Sequence, residues 1–318
     1  MKAVFLDYAS LDQNDLDTSA LSSAFTELQL FASTDASEVL ARVHDADVII
    51  SNKVIIDAAT MQHCAKLKLI LISATGTNNI DLEQARQQGI VVCNCQGYGT
   101  SSVAQHTLAL MLALATSLMQ YDQAVRQGNW NTATQFCLLD FPIVDLSGKT
   151  LGIIGYGELG KAVAKLAEAF GMQVLIAALP HRPSVDASRI ALANLLPQVD
   201  FLTLHCPLTE QTQDLIAEQE LALMKNSAFL INCARGGLVN EQALATALRQ
   251  GMIAGAATDV LTVEPPKNGN VLLSADIPNL IITPHSAWGS RDSRQRMLQQ
   301  LLENVMAFQA GKPIRQVN

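Results

Sequence analysis

The 318-residue sequence has few charges and few aromatics: Asp, Glu, Lys and Arg make up 16% of it and Phe, Trp and Tyr 5%. Basic residues are in deficit, 21 against 29 acids for a formal charge of −8, and no basic stripe runs along the chain. That lacks the electrostatic footprint of a nucleic-acid binder, so no nucleic-acid partner is expected. The six cysteines, at 64, 93, 95, 137, 206 and 233, make no CxxC pair, and no histidine pair stands near them at metal-ligand spacing. Neither a disulfide framework nor a metal site is expected, and free thiols fit a reducing cytoplasm. Long apolar runs are missing too. The longest, 107–119, falls short of the roughly 20 residues a membrane span requires, and Asp7 interrupts the N-terminus too early for a signal-peptide core. No membrane association is expected. What is abundant is apolar side chain, 49% of the sequence, enough to fill two domains of about 150 residues each and too much for a disordered chain.

Short β-rich runs alternate with helical patterns from the first residue, the signature of βα units and a parallel sheet. Strands are expected at 2–8, 28–32, 47–51, 67–73 and 90–94, and amphipathic helices at 16–28, 57–64 and 81–88, the last closed by Gly89. A long helix over 101–126 is apolar almost all round and should be buried. The stretch 127–147 is irregular and sets Trp130, Phe136, Phe141 and Pro142 in a polar context, which suits a surface loop or a dimer contact. A second series follows, with strands at 150–155, 173–177, 201–204, 228–232, 253–258 and 280–283 and a final helix over 289–309. The fold class is α/β, with two doubly wound parallel sheets.

The second series opens on Gly155-Tyr156-Gly157-Glu158-Leu159-Gly160, placed directly after an apolar strand and directly before a helical pattern. In that context Gly155 permits a tight turn, Gly157 lets backbone approach a pyrophosphate, and Gly160 allows close packing of helix on strand. The amides of Glu158 and Leu159 would face the phosphates. The end of the next strand should carry an acid for the adenosine ribose, yet Ala178 stands there and no acid appears before Asp186. Without that carboxylate a 2′-phosphate meets no repulsion, and His181 and Arg182 could neutralise one. The cofactor is therefore NAD(H) or NADP(H), with a lean toward NADP(H) or dual use.

Three polar residues stand at the carboxyl ends of expected strands, where open α/β sheets place ligands: Arg235, Glu264 and His285. An arginine can grip the carboxylate of a 2-keto acid. A histidine can deliver a proton near neutral pH, and a carboxylate beside it stabilises the imidazolium.

The strings Gly155–Gly160, Asn232-Cys233-Ala234-Arg235-Gly236-Gly237-Leu238-Val239, Ala257-Thr258-Asp259-Val260 through Glu264-Pro265, and Thr283-Pro284-His285 resemble those of the D-isomer-specific 2-hydroxyacid dehydrogenase family, in its order and spacing and over essentially the whole chain. The nearest likeness is to its glycerate dehydrogenase/hydroxypyruvate reductase branch. The resemblance implies a Rossmann dinucleotide-binding domain over 101–288 and a discontinuous, flavodoxin-like substrate domain made of 1–100 plus 289–318. It implies that Arg235 binds substrate, that Glu264 partners His285, and that His285 is the general acid/base. It also implies that Thr75 and Gly76 receive the substrate carboxylate on their amides. Asp259 would contact the nicotinamide carboxamide. His205, Cys206, Pro207 and Thr212 would line the adenosine side, and Cys233 and Ala234 would join the cofactor contacts. The expected protein is a homodimer acting on a small 2-keto or 2-hydroxy acid. The rival is an NAD(H)-sensing, corepressor-like scaffold, which would have no need of a proton donor.

Overall fold

The computed structural model describes residues 1–179 and 188–318. The chain divides into two compact units, Met1–Gly99 with Trp288–Asn318, and Thr100–Ala287.

The strands of the first unit are β1 Lys2–Phe5, β2 Glu27–Leu30, β3 Val48–Ser51, β4 Leu69–Ile72 and β5 Val91–Cys93. All pair in parallel, in the order β2-β1-β3-β4-β5. β3 and β4 are buried at every residue. A parallel sheet covered on both faces demands apolar residues at successive positions, so these strands show no polar alternation. One face packs Val4, Ile49 and Ile70 with Val43, Met61 and Ala85. The other packs Phe5, Ile50 and Leu71 with Met297, Leu298, Leu301 and Val305 of the Arg291–Gln309 helix. The last helix of the chain is thus part of the first unit's core.

Side-chain caps set several of its helix starts. Asp57 accepts from Thr60 N at 2.8 Å, Asp81 from Gln84 N at 2.9 Å and Ser290 from Ser293 N at 3.2 Å. The helix expected over 16–28 shrinks to Ser19–Ser23. Asp12 takes the amides of Asp15 and Leu16, and Asp17 takes that of Ser19. Short acids here outcompete the helical backbone.

The second unit holds β6 Thr150–Ile154, β7 Gln173–Ile176, β8 Phe201–Leu204, β9 Phe229–Asn232, β10 Gly255–Thr258 and β11 Leu280–Ile282. They form one parallel sheet in the order β11-β10-β9-β8-β6-β7. A single parallel bridge, Ala177 to Ile190, extends the sheet beyond β7. β6 has β7 on one side and β8 on the other, so the winding reverses at its carboxyl end and opens a crevice there.

The long helix expected over 101–126 is two helices, Thr100–Ala115 and Leu118–Arg126, bent by 61°. Ser117 between them is left-handed, with φ of +49°, and its hydroxyl donates to Pro142 O at 2.6 Å. The first helix buries Val103, Thr107, Leu110, Met111 and Leu114 against the Glu158–Ala169 helix, β9 and β10. No single helix among the described residues is long and apolar enough to cross a membrane.

Candidate active site

At the crevice beside β6, each glycine of the turn has a different task. Gly155 has φ of +94°, and a Cβ on it would lie 2.5 Å from the amide nitrogen of Cys206. A Cβ on Gly160 would lie 2.2 Å from the Gly155 carbonyl oxygen, so the helix start rests directly on the turn. Gly157 is the reverse case. It caps the Glu158–Ala169 helix without a side chain, and a Cβ there would meet nothing within 4 Å. Bare backbone at a helix N-terminus facing open space is what an incoming pyrophosphate requires. The fit to a dinucleotide is therefore steric as well as sequential.

Across the turn runs the segment after β8. His205 N donates to Ile154 O at 2.7 Å, and His205 Nε2 lies 3.0 Å from Thr203 Oγ1. Its Nδ1 is buried and without a partner among the described residues, and burial pushes its pKa down to about 4. The imidazole is neutral at working pH. Thr212 spends its hydroxyl within the loop, donating to Pro207 O at 2.7 Å and accepting from Thr209 N at 2.8 Å. Burial raises the Cys206 thiol to about 11 and the Cys233 thiol to about 12, so both remain protonated and behave as small apolar groups. Ala178 donates its amide to Ile190 O at 2.8 Å. His181 and Arg182 lie outside the described residues.

The neighbouring strands β9, β10 and β11 carry Arg235, Glu264 and His285 on the segments that follow them. Asn232, the last residue of β9, shapes the first of these: its side chain accepts from Ala234 N at 3.1 Å and donates to Arg235 O at 2.9 Å. A Cβ on Gly236 would lie 1.9 Å from Leu261 O, so the arginine loop is pressed onto the backbone after β10. Arg235 itself is exposed. Glu264 accepts from Leu261 N at 2.8 Å with one oxygen and meets His285 Nδ1 at 2.6 Å with the other. A carboxylate only accepts, so Nδ1 carries the hydrogen in this contact and Nε2 points away from it.

His285 has φ of +52°, a conformation that a non-glycine residue keeps only when its surroundings impose it. They do. Its amide donates to Asp259 O at 2.8 Å. Asp259 Oδ1 accepts from Ser286 N at 2.9 Å and Thr283 Oγ1 at 2.5 Å, and Oδ2 accepts from Ala287 N at 2.9 Å. Asp259 is 1% exposed. Asp259, the residue expected at the nicotinamide carboxamide, also holds the histidine loop with both carboxylate oxygens. Sequence reading missed this work, since nothing in the residues 283–287 says which side chain gathers their amides.

In the first unit, Thr75 follows β4. Its hydroxyl donates to Cys95 O at 2.9 Å, and its carbonyl accepts from Asn94 Nδ2 at 2.8 Å. Asp7, at the carboxyl end of β1, is a second residue the sequence did not announce. Its buried carboxylate accepts from Asn52 N at 2.9 Å and Lys53 N at 2.7 Å and fixes the segment after β3. Among the described residues no group of three His, Cys, Asp or Glu could hold a metal ion.

A doubly wound sheet with bare backbone at its switch point, and a carboxylate-paired imidazole on the segments that follow its strands, defines an oxidoreductase of the dinucleotide-dependent class. Residues 108–287 match the family described as D-isomer specific 2-hydroxyacid dehydrogenase, NAD binding domain. The chain is 46% identical to the glycerate dehydrogenase of Methylorubrum extorquens, over 98% of this chain and 97% of that one. It is 37% identical to the hydroxypyruvate reductase of Blautia hydrogenotrophica over 100% of both. The TT0316 protein of Thermus thermophilus has the same fold, with a TM-score of 0.87 at 35% identity and 100% of each chain covered. The chain belongs to the D-isomer-specific 2-hydroxyacid dehydrogenase family and uses NAD(H) or NADP(H).

Proposed function

We propose that the protein reduces hydroxypyruvate or glyoxylate, giving D-glycerate or glycolate. The observation that carries this reading is the 2.6 Å contact between Glu264 and His285 Nδ1, on the strand ends next to the Arg235 loop. Arg235 grips the substrate carboxylate with its two-pronged guanidinium. His285, with Nδ1 tied to Glu264, delivers its Nε2 proton to the carbonyl oxygen as that oxygen gains negative charge. The bound dinucleotide supplies the hydride. In the reverse direction His285 takes the hydroxyl proton, and Glu264 stabilises the imidazolium that forms. The glycine turn, with the Glu158 and Leu159 amides, holds the pyrophosphate, and Cys206, Pro207, Cys233 and Ala234 line the cofactor.

Two relatives named for glycerate and hydroxypyruvate, at 46% and 37% identity over nearly their whole length, support this substrate class. Ala178 in place of an acid supports use of NADPH beside NADH. Six free cysteines support a cytoplasmic setting, and the exposed apolar segment around Phe136 supports a homodimer. A panel of 2-keto acids assayed with both NADH and NADPH tests the reading. Highest kcat/KM for hydroxypyruvate or glyoxylate is expected. Cofactor binding without turnover of any keto acid would replace the enzyme with a nucleotide-sensing scaffold.

A further inference from the structure

His106, in the Thr100–Ala115 helix, has no part in the reaction described above. It is only partly buried, and its Nε2 stands 3.0 Å from Thr283 Oγ1 and 3.7 Å from Asp259 Oδ1. The Thr283 hydroxyl owns one hydrogen and gives it to Asp259 Oδ1 at 2.5 Å. Its oxygen can therefore only accept from His106, so Nε2 carries a hydrogen. The chain of donors runs one way, from His106 to Thr283 to Asp259. Where it ends, the same carboxylate gathers the Ser286 and Ala287 amides just beyond the strained turn at His285.

We propose that His106 is a positioning residue for the keto-acid reaction, acting through Thr283 and Asp259 to hold the 283–287 segment so that His285 stays aimed between Glu264 and the substrate. This rests on the reading of His285 as the proton donor. The physical case has three parts. A side chain as buried as that of Asp259 needs hydrogen-bond donors around it, and the Thr283 hydroxyl is one of the three it has among the described residues. Threonine hydroxyls rotate freely, and the imidazole N–H on the far side of the oxygen fixes which way this one points. Finally, a left-handed histidine relaxes when its anchors loosen, and a donor displaced by even about 1 Å loses much of its rate.

The test uses the full chain with His106→Leu, which removes the donor at similar bulk, and His106→Gln, whose side-chain N–H₂ reaches the same oxygen. For His106→Leu, kcat for the best keto acid falls about tenfold, while KM and NAD(P)H affinity by fluorescence titration stay within about twofold. Amide hydrogen exchange at Ser286 and Ala287 becomes faster. His106→Gln recovers kcat to within about threefold of wild type. Wild-type kcat and exchange in His106→Leu would overturn the proposal, as would equal damage from Leu and Gln. Should His106→Leu fail to fold, Thr283→Val cuts the same chain in the middle. It should show the same loss of kcat and the same faster exchange, and wild-type behaviour there overturns the proposal equally. A wild-type protein inactive toward every keto acid would instead remove the reading of His285, while the exchange data would still decide whether His106 holds the segment.

Discussion

At the scale of single residues, the site divides its labour among groups that cannot substitute for one another. His285→Ala removes the proton donor of the proposed reaction and leaves the glycine turn untouched. Turnover is expected to fall by roughly 10²–10⁴, with cofactor affinity within about twofold; steady-state kinetics beside a fluorescence titration check both, and undiminished turnover would take His285 out of the mechanism. Arg235→Lys keeps the charge but loses the planar fork, so KM for the keto acid should rise by at least about tenfold. His205 makes a different kind of prediction, about pH. Its folded pKa is about 4 against an ordinary 6.5, so between those values the unfolded chain binds a proton that the folded chain refuses. Stability therefore drops as pH falls through that window, by up to about 3 kcal/mol from this group. In His205→Gln the drop from about pH 6.5 to about pH 4.5 should be visibly smaller, by urea midpoints at the two pH values. Equal drops in both proteins would mean that the folded state accepts the proton. That Arg235, Glu264 and His285 stand on the segments after strands was legible beforehand, because each sits in a local string that announces a strand end. Asp259 as the anchor of the histidine loop, and Asp7 as the anchor of the 52–53 amides, were not. Each gathers backbone from segments 27 or more residues away, and only the folded order of strands brings them within reach.

Elements show the same division between what is written locally and what is imposed. Strands β3, β4, β6 and β8 stand out as apolar runs because both faces of their sheets are covered. Helix starts at Asp57, Asp81 and Ser290 stand out because a short polar side chain precedes each. The break at Ser117 does not. It follows from where the Pro142 carbonyl lies, 25 residues on, and the Ala- and Leu-rich run around it would continue as helix in isolation. The glycine turn offers the sharpest test at this scale, because its two outer glycines and its middle one should fail differently. Gly160→Ala drives a methyl into the Gly155 carbonyl, so both the fold and cofactor binding suffer, with about 1–3 kcal/mol lost from stability. Gly157→Ala touches nothing in the protein. Its thermal midpoint should stay close to wild type while NAD(P)H affinity falls at least about tenfold, because the methyl fills the space the pyrophosphate needs. Loss of stability in Gly157→Ala, with binding intact, would contradict the role given to that backbone. In the first unit, Leu301 is wholly buried from the last helix into the sheet, and Leu301→Ala should cost about 2–5 kcal/mol by denaturant titration.

At the scale of the whole molecule, one chain builds two parallel sheets and closes the first with a helix returned from its far end. The alternation of strand and helix made two doubly wound units legible. That the return helix completes the first core was not written in the helix itself, whose Met297, Leu298, Leu301 and Val305 would suit any apolar face. It was implied only by the family's strings. The segment after the Leu118–Arg126 helix carries the most exposed large apolar side chains among the described residues. Phe136 is 89% exposed and Leu139 76%, with Trp130 donating its indole N–H to Phe136 O at 2.9 Å, so that the segment is held in shape by its own contacts. The homodimer proposed above would bury these large apolar side chains. A second copy of the chain presents the same segment, and two-fold pairing closes such a contact without leaving a free face. Sedimentation velocity should therefore give a dimer at micromolar concentration. Phe136→Asp combined with Leu139→Asp should give a monomer with an unchanged far-ultraviolet spectrum, since neither side chain contributes to either core. A wild-type monomer, or a double variant that remains dimeric, would leave these side chains exposed for some reason other than self-association.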